Sequence, residues 1–170
     1  MIILVMGITG SGKTTVGRLL AERLNWAFAD ADDFHSAANK EKMKLGIALS
    51  DADRGPWLAA IHDQIWRWIA ERKSGVLACS ALKQRYRDVL LSPGTGADGD
   101  SSEIKIVYLR GTYPLIAERL RSRTEHFAGE TLLASQFATL EEPSDAVTID
   151  IAQTPAQIVE EAMRRLLLAR

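Results

Sequence analysis

The chain of 170 residues has a single cysteine, Cys79, so no disulfide can form within it. A scaffold held by cross-links is excluded, and the composition fits a reducing compartment. An excess of one charge is also missing. The 21 Lys and Arg balance 22 Asp and Glu, leaving a formal net charge of −1. Proteins that grip nucleic acid over a broad surface show a basic imbalance, so we expect no nucleic-acid partner. No apolar run approaches the roughly 20 residues that span a bilayer. No basic segment follows Met1 to open a secretory signal. The expectation is therefore no membrane partner and a cytoplasmic setting. Internal repeats are absent too. What is present is a length suited to one domain, 1–170, with 46% apolar residues to build a core and an ordinary 25% charged.

Residues 7–14 read Gly-Ile-Thr-Gly-Ser-Gly-Lys-Thr, which satisfies G-x-x-x-x-G-K-[ST]. The context matters more than the string. An apolar run, 2–6, feeds the loop, and the loop opens a helical pattern. Gly7, Gly10 and Gly12 let the backbone bend and bring its N–H groups close to an anion. The helix N-terminus adds roughly half a positive charge at the same spot. Lys13 can reach the β- and γ-phosphates, and the Thr14 hydroxyl can ligate Mg²⁺. A glycine-rich turn that only caps a helix would not require every fixed position in strand–loop–helix order. A nucleoside triphosphate is the expected ligand, held by Gly7, Ile8, Thr9, Gly10, Ser11, Gly12, Lys13, Thr14 and Thr15.

Hydrophobic spacing predicts strands at 2–6, 27–30, 75–79, 104–109 and 147–151. Helices are predicted at 13–24, 36–45, 53–72, 83–91, 113–123, 132–140 and from Pro155 onward. In the longest helix Trp57, Leu58, Ile61, Ile65, Trp68 and Ile69 fall at helical spacing. They read as core rather than a base-stacking platform, because no RNA-binding signature accompanies them. The stretch 92–102, with Pro93, Gly94, Gly96 and Gly99, reads as a surface loop. Short apolar strands alternating with helices imply an α/β fold: a three-layer, doubly wound, five-stranded parallel sheet covered on both faces. Ligands in such sheets bind outside the carboxyl ends of the strands. That selects the segments after strands 1 to 4.

After strand 2 comes Asp30-Ala31-Asp32-Asp33-Phe34-His35. One carboxylate could accept the proton of an attacking hydroxyl, and another could orient waters around Mg²⁺. An acidic helix N-cap is the plainer use, and it suits Asp33. Asp32 and His35 read as functional from their place at a strand end. His35 could instead be a structural hydrogen-bonding group; it lacks a second His or Cys at ligand spacing to form a metal site. After strand 3 come Ser80-Ala81-Leu82-Lys83, then Arg85 and Arg87. This suits a carboxylate or phosphate, and equally a Ser N-cap followed by solvated basic residues. After strand 4 come Arg119, Arg121 and Arg123, then Glu125-His126-Phe127. Arginines beside a polar segment suit a mobile lid that brings charge to a transferring phosphoryl group, the alternative being basic residues in a last helical turn. Arg54 adds a basic candidate, and Cys79 reads as a small buried hydrophobe.

Taken together, these segments resemble the gluconate kinases, small P-loop sugar-acid kinases related in fold to shikimate and nucleoside-monophosphate kinases. The resemblance covers nearly the whole chain. Beyond the phosphate loop and the Asp30–His35 segment it is carried by Asn39 with Lys42-Met43, by Asp51-Ala52-Asp53-Arg54-Gly55-Pro56-Trp57-Leu58, and by Cys79-Ser80-Ala81-Leu82-Lys83 with Tyr86-Arg87-Asp88. Further along it takes in Arg119, Arg123, His126-Phe127, Ser135-Gln136-Phe137 and Leu140-Glu141-Glu142-Pro143. Departures are Ala31 where the family usually has glycine, and Ser36 and Ala48 where it usually has proline. The resemblance implies a P-loop kinase of the nucleoside-monophosphate-kinase type, with a lid at about 123–131 and an acceptor-binding segment at about 32–72. It implies ATP and Mg²⁺ as cofactors, a homodimer, and D-gluconate as the small-molecule partner, phosphorylated at its 6-hydroxyl for sugar-acid catabolism. Lys13, Asp32, Arg119 and Arg123 would be catalytic, with Asp32 facing the acceptor hydroxyl. Thr14 and Asp30 would serve the metal. Asp32, His35, Arg54, Ser80, Lys83, Arg87, His126 and Gln136 would bind the sugar acid, and 153–157 is the candidate stretch for adenine. Two rivals stand beside this. One is the same fold with a shikimate-like or nucleoside-monophosphate acceptor. The other is a non-catalytic nucleotide-binding regulator, expected to lack the acidic cluster or the lid arginines.

Overall fold

The computed structural model describes residues 1–93, 100–122 and 128–168. Its centre is β1 (Ile2–Met6), buried at every position. Successive strand side chains point to opposite faces. Ile2, Leu4 and Met6 accordingly enter one apolar cluster, and Ile3 and Val5 the other. Such a strand must be covered on both sides. β2 (Ala27–Asp30), β3 (Gly75–Ala78), β4 (Ile104–Arg110) and β5 (Val147–Asp150) join it in the order β2-β3-β1-β4-β5, all pairs parallel. The expected five-stranded parallel sheet is therefore present.

One face carries α1 (Lys13–Leu24), α5 (Tyr113–Arg121) and α7 (Pro155–Leu168). Val16, Leu20, Ile116, Ile158 and Val159 pack there on Ile3, Val5, Val107 and Leu109. The other face carries α3 (Asp51–Ala70) and α4 (Gln84–Leu91), with Ile61, Ile65, Trp66, Tyr86 and Leu90 against Leu4, Leu77 and Ile106. Each fully buried Ile contributes about 1.5–3 kcal/mol. Trp57 and Trp68 are buried, so these aromatics of α3 are core as expected, and Trp66, outside the periodic set, is buried as well. Among the described residues, no helix is long and apolar enough to cross a membrane.

The remaining described helices are α2 (Ala37–Lys44) and α6 (Ala128–Thr139), the latter adding Leu133 to the cluster on the α1 face. Ser36, one of the departures, caps α2 by accepting the Asn39 N–H at 3.1 Å. Two helices begin earlier than their spacing predicts. α3 starts at Asp51 rather than 53. The Ser50 hydroxyl accepts the Asp53 N–H at 3.2 Å while the Asp53 carboxylate accepts the Ser50 N–H at 2.9 Å, a reciprocal capping box. α6 starts at Ala128 rather than 132, and so takes in part of the segment expected as a lid.

Candidate active site

The loop between β1 and α1 bends as its glycines require. At Gly7 (φ 153°) a Cβ would lie 2.8 Å from the Leu109 carbonyl oxygen and 2.7 Å from Ser11 Oγ, so only glycine passes this close to β4. Gly12 (φ 93°) is the N-cap of α1 and gives no side-chain cap. The first-turn amides of α1 are thereby left for an anion. Lys13 Nζ folds back and donates to the Ile8 carbonyl at 2.9 Å. Burial holds its ammonium below the usual lysine range, and Asp32 is the largest charge working the other way.

The tip of β2 meets this loop. Thr14 Oγ1 donates to Asp30 Oδ2 at 2.6 Å, and Asp30 Oδ1 accepts the Asp32 N–H at 3.1 Å. Asp30 thus caps the 3-10 turn Ala31–Phe34, the role expected of Asp33. The cap falls to Asp30 because the turn begins one residue after the strand, which places Asp33 inside it. Asp32 is exposed, and among the described residues no side chain donates to its carboxylate. Its charge reaches Lys13, His35 and Cys79.

Trp57, from α3, fixes the same turn. Its Nε1 donates to the Ala31 carbonyl at 2.7 Å, and its ring stacks on His35 with centroids 4.6 Å apart and planes 4° apart. His35 is buried, and its Nδ1 has no hydrogen-bond partner. Burial lowers its pKa; Asp32 opposes this, while Lys40 and Arg54 add to it, so the ring is neutral at pH 7. Cys79 is buried below, and desolvation pushes its thiol up to about 12.

A basic cluster forms where α3 meets α4. Asp51 accepts from the Tyr86 hydroxyl at 2.6 Å and from Arg85 Nη2 at 2.5 Å, with Lys83 Nζ at 3.8 Å. These two hydrogen bonds, Tyr86 first, hold its carboxyl below the usual range. The cationic groups of Arg54, Lys83 and Arg85 lie 5.9, 5.5 and 5.3 Å from the Tyr86 ring centroid. Two of these cations, Lys83 and Arg85, share the Asp51 carboxylate, and Arg54 adds a third positive charge beside the same ring, a local positive excess in a chain of net charge −1. Asp53 ties α2 to α3: Lys42 Nζ donates to it at 2.7 Å, and with the Ser50 bonds this draws its pKa down to about 2. Asp51 and Tyr86 carry no local motif for this contact. Only the packing of α3 on α4 brings them together.

Arg87, expected among the sugar-acid ligands, is 1% exposed. Nη1 donates to the Ala81 and Leu82 carbonyls at 2.9 and 3.3 Å, and Nη2 to Gln84 Oε1 at 2.5 Å. It holds the turn after β3, in which Ala81 sits at φ 43°. The reason is helical spacing: Tyr86, Arg87 and Leu90 share the buried face of α4. Ser80 is half-buried and is not the helix cap, a place taken by Lys83 without a side-chain bond. The first amide of α4, Gln84 N–H, donates instead to Glu141 Oε2 at 2.6 Å. Gln136 lies at the phosphate loop, where its Oε1 accepts the Thr9 N–H at 2.7 Å.

Arg119 Nη2 donates to the Ile151 carbonyl at 2.5 Å. With Gly10, Ser11, Thr15, Gln153 and Pro155 it lines a hollow of about 260 Å³, so the stretch proposed for adenine adjoins the phosphate loop. A larger hollow of about 390 Å³, lined by Arg18, Trp26 and Phe28, opens at the other end of β2, away from these groups. Arg123 and His126 lie outside the described residues.

Residues 9–167 match the shikimate kinase family model. Fold and phosphate loop together define a P-loop kinase of that type. The probable gluconokinase of Mus musculus is 48% identical over 153 residues, covering 84% of this chain and 83% of that protein. The gluconokinase of Arabidopsis thaliana is 41% identical over 170 residues, covering 93% and 88%. A crystal structure of a gluconokinase from Sinorhizobium meliloti 1021 superposes with a TM-score of 0.84 at 41% identity, covering 98% of this chain and 91% of that one. Within the shikimate kinase type, the chain belongs to the gluconokinase family.

Proposed function

We propose that this chain transfers the γ-phosphoryl group of ATP to the 6-hydroxyl of D-gluconate, giving 6-phospho-D-gluconate and ADP. The observation that carries the reading is the 2.6 Å contact of Thr14 with Asp30, which joins the phosphate loop to the turn bearing Asp32. Gluconokinases aligned along most of the chain support the acceptor.

In this reading the amides of the loop and Lys13 hold the β- and γ-phosphates. Because the transition state is loose, positioning contributes more than proton removal. Asp32 orients the 6-hydroxyl and accepts its proton. Arg54, Lys83 and Ser80 receive the sugar-acid carboxylate, and the unpartnered Nδ1 of neutral His35 is available to a sugar hydroxyl. Arg119 and Arg123 neutralise phosphate charge, and a lid over 123–131 excludes water. Arg87 acts on the turn, not on the sugar. Thr14 and Asp30 fit Mg²⁺. They offer hard oxygen donors, and no group of three or more His, Cys, Asp or Glu side chains suited to a metal occurs among the described residues. Mg²⁺ commonly keeps several waters and uses one or two carboxylates with phosphate oxygens. Bound there, it would neutralise phosphate charge. A single domain, an acceptor-binding segment over 32–72, a cytoplasmic setting and a homodimer complete the reading.

The test is ADP release by purified protein with ATP and Mg²⁺ over a panel of D-gluconate, other aldonic acids, shikimate and nucleoside monophosphates. Turnover is expected with gluconate, with the product phosphorylated at C6 by NMR. Turnover confined to shikimate or a nucleotide would shift the acceptor; none at all would refute the kinase.

A further inference from the structure

One short segment touches both halves of the site. Gln136 Oε1 accepts the Thr9 N–H at 2.7 Å, across 127 residues of sequence. A turn later, Leu140 N–H donates to the Gln136 carbonyl at 2.9 Å, and Glu141 N–H donates to the Leu82 carbonyl at 2.9 Å. Glu141 Oε2 then accepts the Gln84 N–H at 2.6 Å. Between these anchors Leu140 packs against both apolar clusters of the sheet. Residues 136–141 therefore form a strap from the phosphate loop to the turn between β3 and α4.

Both ends of the strap supply something the local chain lacks. Lys83, the N-cap of α4, makes no side-chain cap bond, so the Glu141 carboxylate serves as a cap from a distant element at the positive end of the helix. The turn it steadies holds Ala81 at φ 43°, a conformation L-residues avoid. At the other end, the hydrogen bonds internal to the loop, Ser11 N–H to Ile8 and Lys13 Nζ to Ile8, leave the Thr9 amide to Gln136. The strap is short and is pinned by the half-buried Leu140 beside Glu141. A shift of the loop must either break the Gln136 bond or carry Glu141, and with it the start of α4.

We infer that Gln136 and Glu141 are positioning residues that couple the phosphate loop to the acceptor turn 80–83, so that taking up a nucleotide orders that turn. Gln136 acts through Thr9, and Glu141 through Gln84. The inference rests only on the nucleotide half of the proposed function.

The experiment is hydrogen exchange read by mass spectrometry on the full chain, with and without AMP-PNP and Mg²⁺, following peptides over 7–15 and 80–86. In the unmodified protein the nucleotide should slow exchange in both, at 80–86 by about fivefold or more, the lower end of ordinary site-to-site coupling. Gln136→Met should keep the slowing at 7–15 and lose it at 80–86. Glu141→Ala should do the same from the other end, and Glu141→Gln, which retains an acceptor oxygen for Gln84, should restore it. The two ends are tested separately, so one poorly folding variant does not decide the matter. Slowing confined to 7–15 in the unmodified protein, or retained at 80–86 in both Gln136→Met and Glu141→Ala, overturns the coupling. No slowing at 7–15 would instead overturn nucleotide binding, and the coupling with it.

Discussion

Replacing Arg87 by methionine keeps most of the side chain's volume and removes its hydrogen-bond donors. The consequences can be followed atom by atom. The Leu82 carbonyl retains a partner, because it also accepts the Glu141 N–H at 2.9 Å. The Gln84 side chain belongs to an exposed residue and can return to water. The Ala81 carbonyl loses its 2.9 Å donor and is left buried in a turn that already holds φ 43°. One orphaned buried acceptor costs about 1–3 kcal/mol. Against this, the variant removes a buried cation whose Nε has no partner and whose pKa burial has lowered, which returns part of the cost. The expected net loss is about 1–2 kcal/mol. Urea unfolding is the assay. With a slope of about 2 kcal/mol per molar, the midpoint should fall by roughly 0.5–1 M. A direct ligand of the sugar acid would behave differently: the midpoint would hold, and the KM for gluconate would rise by about tenfold to a hundredfold, the scale of a charged hydrogen bond. That second pattern would refute the structural role assigned to Arg87.

Lys13→Ala should lower kcat by about 10²–10³, or roughly 2.7–4 kcal/mol, the scale for removing one preorganised electrostatic group; unchanged steady-state turnover would contradict its role. His35 has a pKa below its ordinary 6.5, so the unfolded chain takes up the proton first on acidification. Its contribution is complete above that value and declines as pH falls through it, at up to about 1.4 kcal/mol per pH unit, until the folded state protonates too. His35→Gln should flatten this dependence in urea midpoints taken from about pH 8 to pH 5, and an identical pH profile would refute it. Cys79, with its thiol raised to about 12, should resist iodoacetamide at about pH 8 until denaturant is added; labelling of the folded chain at the rate of a free thiol would show that it is not buried.

Local signals were strong where the chemistry is local. The phosphate loop was legible because strand, glycine turn and helix follow one another within the span 2–24, and each is set by spacing over a few residues. The burial of Trp57 and Trp68 in α3 followed from helical periodicity. The capping box that starts α3 went unread: Ser50 and Asp53 stand three apart, yet the helix was expected to begin at 53. Arg87 was a different case. A basic residue beside a strand tip suggests a ligand, and the opposing signal, that it shares a helix face with Tyr86 and Leu90, is weaker than its charge.

The amino-acid sequence by itself determined the alternation of strands and helices, the parallel sheet, and a loop able to bind a triphosphate, because all three depend on neighbours in the chain. The tertiary structure alone decided which side chains share the mouth. Trp57 reaches Ala31 across 26 residues, Tyr86 reaches Asp51 across 35, and Gln136 reaches Thr9 across 127. Those contacts follow from the strand order β2-β3-β1-β4-β5 with all strands parallel, which brings distant connections together at the carboxyl end of the sheet. They have no counterpart in local spacing, since a hydrogen bond records distance in space and not separation along the backbone.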